Sequence, residues 1–261
     1  MRKNIFFAIL LLGFLGLMIH ASPSHAYDSS DVYDLIFATQ DFPPFSYEMG
    51  SYIAGPAADI IRAICEDADL KCQILSTVWS KAQMEVKKGK AHGMFMIGWN
   101  KNRSTWLYFS HPILKTEYGL FVRKSNLLDY TTSKDLKGLK VGVYGPSNTS
   151  QSLLKIKRII KDLRVDFSPD SATCFKKLSH GQIDAVYSNK SVGKCLINRL
   201  HLNNIRYAGR DRTLEYYIGF NQKYTNKASV DKFNDKFEEF HKKGIINEVL
   251  SMYGMESADL K

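Results

Sequence analysis

The sequence predicts an α/β protein built from parallel βαβ units in two lobes of similar construction. Two observations carry this. Short apolar runs that read as strands alternate with segments of helical periodicity through most of the chain, the pattern of parallel sheets covered by helices. The rhythm also occurs twice: KGKAHG at residues 88–93 opens one apolar run and HGQIDA at 180–185 opens another, each directly after a helix.

The elements follow in order. Arg2 and Lys3 form a positive start, residues 5–19 are apolar with only small glycines between, and Ser24-His25-Ala26 fits a small-x-small cleavage site, so residues 1–26 read as a signal peptide. The apolar run is about 15 residues, short of the roughly 20 that a spanning helix needs, which favours cleavage over a retained anchor. No Cys lies near the junction, so no lipid anchor is expected, and no other stretch is long and apolar enough to span a bilayer. The mature chain is expected to start near Tyr27, exported and soluble.

Residues 35–38 read as a strand, 57–67 as a helix with Ala58, Ile61, Ile64 and Cys65 on one face, and 72–75 as a strand. A helix over 80–88 follows, then strands at 94–97 and 118–122. The second series starts at Lys134. It has strands at 139–143, 164–167 and 183–187 and helices at 150–161, 172–179 and 191–200. Residues 205–208 and 217–220 read as two strands, and 230–241 and 245–253 as helices. Polar, turn-rich sequence follows 122–123 and 220–221. These are the expected crossings, giving 27–122 with 221–261 as lobe one and 123–220 as lobe two.

The chain carries 36 Lys and Arg against 26 Asp and Glu, a formal net charge of +10; residues 1–26 hold two of the basic and none of the acidic residues, which leaves +8 on 235 residues. That length suffices for two lobes. A basic surface suits nucleic acid, an anionic membrane or anionic small ligands. Export argues against nucleic acid, and the lysines are scattered rather than gathered in one block. Four cysteines enter an oxidising compartment. Cys65 ends a helix and Cys72 starts the next strand, a turn short enough to bring two Cα atoms within disulfide range. Cys174 and Cys195 fall on separate helices and stand either as a second pair or as two buried thiols. No His, Cys or carboxylate cluster has metal-ligand spacing, and no Gly-rich phosphate loop is present. No metal and no cofactor is expected.

The stretch GKAHGMFMIGWNKNRSTWLYFSHP, residues 89–112, is the most informative about function. It places Arg103 just past the carboxyl end of a buried strand, beside Trp99 and the bare backbone of Gly98. Open α/β sheets hold ligands outside the carboxyl ends of their strands, and the planar guanidinium grips carboxylates bidentately. The competing reading is a solvated loop Arg.

Taken in order, seven elements resemble the periplasmic solute-binding proteins of family 3, which deliver polar amino acids to ABC transporters. FPPFSY at 42–47 is similar to the family's "YPPFSY" opening, and residues 55–64 to "GFDVDLAKAI". Trp79 with KKGK at 87–90 looks like "W…LKSGK", and residues 103–112 like "R…DFSDP". DLKGLKVGV at 135–143 is close to "DLKGKKVGV", GQIDAV at 181–186 to "GKVDAV", and GIINEV at 244–249 to "GTLDEI". The Cys65–Cys72 spacing also matches a bridge in the histidine- and lysine-binding branch. The resemblance spans roughly residues 35–254. It implies the two-lobed periplasmic binding protein fold (type II), with two crossing hinge strands and a ligand buried in the cleft by hinge closure.

Carried over position by position, the resemblance puts Arg103 on the ligand carboxylate, Phe42 as the aromatic that stacks on the ligand, and Trp79 as a second wall. Ser147 and Asn148 fall where the family has Thr and Ser at a helix start, a setting suited to an anion, although Pro146 replaces the usual Gly. Three positions depart from the family. Asn189 stands where amino-acid binders have Asp. Thr39 stands where some members have Asp. Gly98, followed by bulky Trp99, stands where the family has a hydroxyl residue. A buried ammonium without a carboxylate partner costs several kcal/mol. The expected ligand is therefore a carboxylate or similar anion with a flat or apolar portion, not necessarily an α-amino acid. The expected partner is a membrane ABC permease, and the expected setting is a periplasmic monomer. Two rivals are a cyclohexadienyl-dehydratase-like enzyme, which needs an acid or base in the cleft, and a sensor module for a membrane receptor. Asp41 and Glu117 are the nearest acids and form no evident catalytic pair; His92 and His111 are isolated. No enzyme is expected, and the chain leaves no room for the transglycosylase domain that some relatives carry.

Overall fold

The computed structural model describes residues 33–260, so the signal segment expected at 1–26 lies outside the described residues. The chain opens with β1 (Leu35–Thr39), a hairpin of β2 (Tyr47–Met49) and β3 (Tyr52–Ala54), α1 (Pro56–Asp67), β4 (Cys72–Ser76), α2 (Trp79–Lys87) and β5 (Gly93–Gly98). A short α3 (Lys101–Ser104) and β6 (Leu107–Phe109) lead into β7 (Leu114–Arg123). After a 3-10 turn, the second series runs β8 (Lys140–Tyr144), α4 (Asn148–Ile159), β9 (Arg164–Ser168), α5 (Ser171–Ser179), β10 (Ala185–Asn189) and α6 (Lys190–Arg199). It ends with β11 (Ile205–Asn221), α7 (Lys227–Lys242) and α8 (Ile245–Ser251).

Apart from the β2–β3 hairpin, which is a sheet of its own, the strands make one sheet in the order β4-β1-β5-β11-β7-β10-β8-β9, with β6 paired on β11. Each end repeats one plan. β1 is flanked in parallel by β4 and β5, and β8 in parallel by β9 and β10. The sheet is mixed rather than parallel throughout, because β7 and β11 run antiparallel to each other and to the ends they join. Residues 118–122 of β7 pair with β10, and residues 216–220 of β11 pair with β5.

The two strands expected at 205–208 and 217–220 are the ends of the single β11. Its middle includes exposed Arg210, Arg212 and Thr213, so the alternation that marks a half-buried strand is absent there. The strands β2, β3 and β6 and the helix α3 are three or four residues long, too short for a periodic signal.

Packing follows the apolar pattern. α1 starts with Pro56 in its first turn, where a missing N–H costs nothing. It buries Ala57, Ala58, Ile60, Ile61 and Ile64, and each buried Ile contributes about 1.5–3 kcal/mol. α7 returns to the first half of the sheet: Phe233 meets Phe37 and Phe220 at 5.7 and 5.5 Å between ring centroids. Cys65 and Cys72 form a disulfide with Cα atoms 6.1 Å apart. Cys174 and Cys195 are unbridged thiols, which decides that pair in favour of two separate cysteines.

Candidate functional site

Arg103 is delivered by a local device. Where β5 ends at Gly98 the chain turns into α3, and Asn100 caps that helix by accepting from the Arg103 backbone N–H at 2.8 Å. The cap holds Arg103 facing inward, and the residue is only 8% exposed. Its Nη1 donates to the Gly98 carbonyl at 2.8 Å, and its guanidinium lies 5.5 Å from the Trp79 ring. No Asp or Glu among the described residues pairs with it. Burial lowers its pKa, with the Tyr118 and Tyr216 hydroxyls opposing; a guanidinium nonetheless stays protonated. A buried cation with no carboxylate is costly in a folded protein, and it suits an anion brought from outside.

The cavity that Arg103 lines measures ≈ 300 Å³. Trp79, Gln83, Lys87 and Trp106 wall it from the first lobe, and Ser147, Asn148 and Gln151 from the start of α4. None of the lining residues is acidic. The structure thus brings together four residues expected from sequence: Arg103, Trp79, Ser147 and Asn148. The Ser147 hydroxyl has a local task. It donates to the Tyr144 carbonyl and accepts from the Ser150 N–H, capping α4. Asn148 accepts at Oδ1 from Asn100 Nδ2 at 3.0 Å, a direct bond between the lobes.

Gly98 acts through its backbone and its lack of a side chain. A methyl group there would sit 2.5 Å from Nδ2 of Asn148. Trp99 points elsewhere, 57% exposed, on the wall of a neighbouring cavity.

Phe42 and Asn189 meet at a third, narrow cavity of ≈ 20 Å³, enough for about one water. Both ends of the Asn189 amide are engaged. Nδ2 donates to the Thr116 hydroxyl at 2.8 Å and to the Tyr216 hydroxyl at 3.3 Å, while Oδ1 accepts from the Val192 N–H and caps α6. Phe42 packs on Phe45 and edge-on against Tyr216, at 5.3 and 6.1 Å. Thr39 is buried at the end of β1, with its hydroxyl 3.2 Å from that of Ser46; it lines none of these three cavities.

Sequence reasoning missed Tyr118 and Tyr216. Both are buried and within electrostatic range of each other and of Arg103, and burial raises both pKa values. Asn100 was also missed, although an Asn three residues before Arg103 is a recognisable helix-cap signal. Among the described residues, no cluster of His, Cys, Asp or Glu could hold a metal ion, and no helix is long and apolar enough to cross a membrane.

A two-lobed α/β fold with a buried Arg on the cavity between its lobes is the architecture of a periplasmic-type binding protein. The chain belongs to the bacterial extracellular solute-binding proteins, family 3, whose model matches residues 35–256. A comparison with curated proteins gave no match. Among solved structures, the fold is similar to a histidine kinase sensor domain that itself resembles periplasmic binding proteins, at 20% identity and a TM-score of 0.77 over 87% of this chain and 98% of that one. It is similar to a protein of glutathione import in Gram-positive bacteria, studied with a cystine ABC importer of Streptococcus mutans (19%, TM-score 0.77, 86% and 97%). A third is an amino acid ABC transporter substrate-binding protein of Streptococcus pneumoniae bound to L-arginine (20%, TM-score 0.71, 84% and 93%). The family and these neighbours are mostly binding proteins.

Proposed function

We propose that the chain is an exported, periplasmic, monomeric solute-binding protein that captures a small carboxylate-bearing ligand between its lobes and presents it to an ABC permease. The observation that carries this is Arg103, a buried guanidinium facing an interlobe cavity with no acidic partner among the described residues. The ligand carboxylate takes the place of that partner, and Trp79 supplies an aromatic wall. Lobe movement is a hinge motion in the middles of β7 and β11, where pairing passes from one half of the sheet to the other. On this reading the crossings expected near 122–123 and 220–221 belong to the same two strands, β7 and β11.

A standard α-amino acid is not the preferred ligand. The Asn189 oxygen already caps α6 and is uncharged, and its nitrogen is a donor, so this position offers an ammonium no carboxylate. Nor is a catalyst favoured. Glu117 is held by Lys190, and Asp211 accepts from Tyr130 and Tyr187, so both carboxylates near the hinge have structural tasks.

Calorimetry against amino acids and other small organic acids tests this reading. An organic acid is expected to bind more tightly than any standard amino acid. Arg103→Ala is expected to weaken binding about 100-fold or more while circular dichroism stays unchanged. Unaltered affinity in that variant would refute the site. The likeness to a sensor domain supports a second reading, in which the loaded protein signals to a membrane receptor. Deletion separates the two: lost ligand uptake marks transport, and lost transcriptional response with intact uptake marks sensing.

A further inference from the structure

The cleft does not end at Arg103. Past the Asn100–Asn148 hydrogen bond lies a second cavity of ≈ 190 Å³, which shares Asn100, Asn148 and Gln151 with the first. Its walls bring together three elements that sequence does not associate: Trp99 beyond β5, Lys155 on α4 and Arg212 in the middle of β11. Asn148, Gln151 and Lys155 are three and seven residues apart, so they share one face of α4. That face runs from the Arg103 cavity into the second one.

The chemistry of the second cavity is cationic and aromatic. The side chains of Lys155 and Arg212 make no ion pair or hydrogen bond with any described residue. Glu215, the acidic residue on these walls, accepts at 2.7 Å from Tyr217. Trp99 leaves more than half of its surface in solvent, and an exposed aromatic on a cleft wall offers a face on which a planar group or a cation can stack. Tyr118 lines the same cavity and lies within electrostatic range of both Arg103 and Arg212. The shared residues Asn100, Asn148 and Gln151 place the two cavities side by side.

We propose that the second cavity is a subsite for a second anionic group, so that the protein's ligand is an elongated dianion. One carboxylate sits on Arg103, a flat middle lies against Trp99, and the far anion sits between Lys155 and Arg212. The proposal rests on the reading of Arg103 as the first carboxylate grip. Such a ligand replaces the Asn100–Asn148 bond as the bridge between lobes, because its two charged ends engage groups from both. It also accounts for the missing carboxylate at Asn189: a dianion brings no ammonium to satisfy.

The test uses the full chain and four probes: phenylacetate, and the dianions terephthalate, 4-carboxyphenylacetate and 1,4-phenylenediacetate, which differ in length. At least one dianion is expected to bind about tenfold tighter than phenylacetate. In Lys155→Gln/Arg212→Gln that advantage is expected to vanish while phenylacetate affinity is unchanged. The subsite is overturned when no dianion exceeds phenylacetate, when none of the probes binds, or when the advantage survives in the double variant. Arg103→Ala separates the two claims. If it abolishes all binding while the double variant keeps the dianion advantage, the Arg103 site stands and the subsite falls. If the double variant removes the advantage and Arg103→Ala changes nothing, the subsite stands and the Arg103 reading falls.

Discussion

β1 and β8 hold the same place in their halves of the sheet, as do β5 and β10, yet the four strand ends deliver different chemistry. The first half ends on an aromatic and a buried cation: β1 runs on to Phe42, and β5 to Arg103. The second half ends on neutral hydrogen-bonding groups: β8 runs on to Ser147 and Asn148, and β10 stops at Asn189. Much of that polar capacity is already used, in the caps of α4 and α6. One topology thus supplies a charged grip on one side and a preorganised, largely self-satisfied wall on the other. The halves also differ in how they are held. The first is stapled by Cys65–Cys72, whereas the two cysteines of the second remain thiols.

Three experiments press on this contrast. The largest expected effect is on the staple. Removing a bridge that spans a sequence separation of 7 releases about 2.5 kcal/mol of loop-closure entropy in the unfolded state. Cys65→Ser/Cys72→Ser should therefore lower the melting temperature by about 5–10 °C. Cys195→Ser, on a half-buried thiol, should move it by far less. Equal shifts would erase the distinction between the halves.

Next comes Asn189. Asn189→Ala removes the α6 cap and leaves the Thr116 and Tyr216 hydroxyls without their donor, an expected loss of about 1–2 kcal/mol in urea unfolding. Asn189→Asp keeps an acceptor for the cap, so stability should largely return. It also places a carboxylate where amino-acid binders of the family have one, and it is expected to raise affinity for α-amino acids over their deaminated acids. A ligand preference indifferent to this change would break the comparison between the strand ends.

The smallest effect is a pH dependence seated in the first half. Burial holds the His92 imidazole below its ordinary value of 6.5, against the pull of Asp34. The neutral ring accepts the Ile36 N–H at Nδ1, 2.9 Å away. As pH falls, the unfolded chain takes up this proton first. The contribution is therefore complete above about pH 6.5 and is lost as pH drops below it and through the folded value. His92→Gln should flatten the stability profile in that window by less than about 1 kcal/mol. Thermal melts from neutral to mildly acidic pH give the slope, and an unchanged slope would count against the assignment.

The βαβ order was legible because α1, α4 and α7 bury long periodic faces and the strands between them are short apolar runs. β11 was not, since its exposed middle carries Arg210, Arg212 and Thr213 and breaks the alternation. Arg103 was singled out through the family resemblance, because an Arg in the loop after a buried strand reads equally well as a solvated one. Tyr118 and Tyr216 could not be found, because strand alternation reveals only that a side chain is buried. It cannot show that residues nearly one hundred positions apart meet beside the same guanidinium. Ser147 was recognised as a helix start, but only the folded geometry shows its hydroxyl spent on capping.

Gly98 carries a consequence for motion. Asn148 reaches across to Asn100 only because nothing projects from position 98. A single added methyl would crowd the Asn148 amide nitrogen and force that side chain to shift. The smallest residue in the cleft thus sets how closely the two sides approach at the Asn100–Asn148 bond.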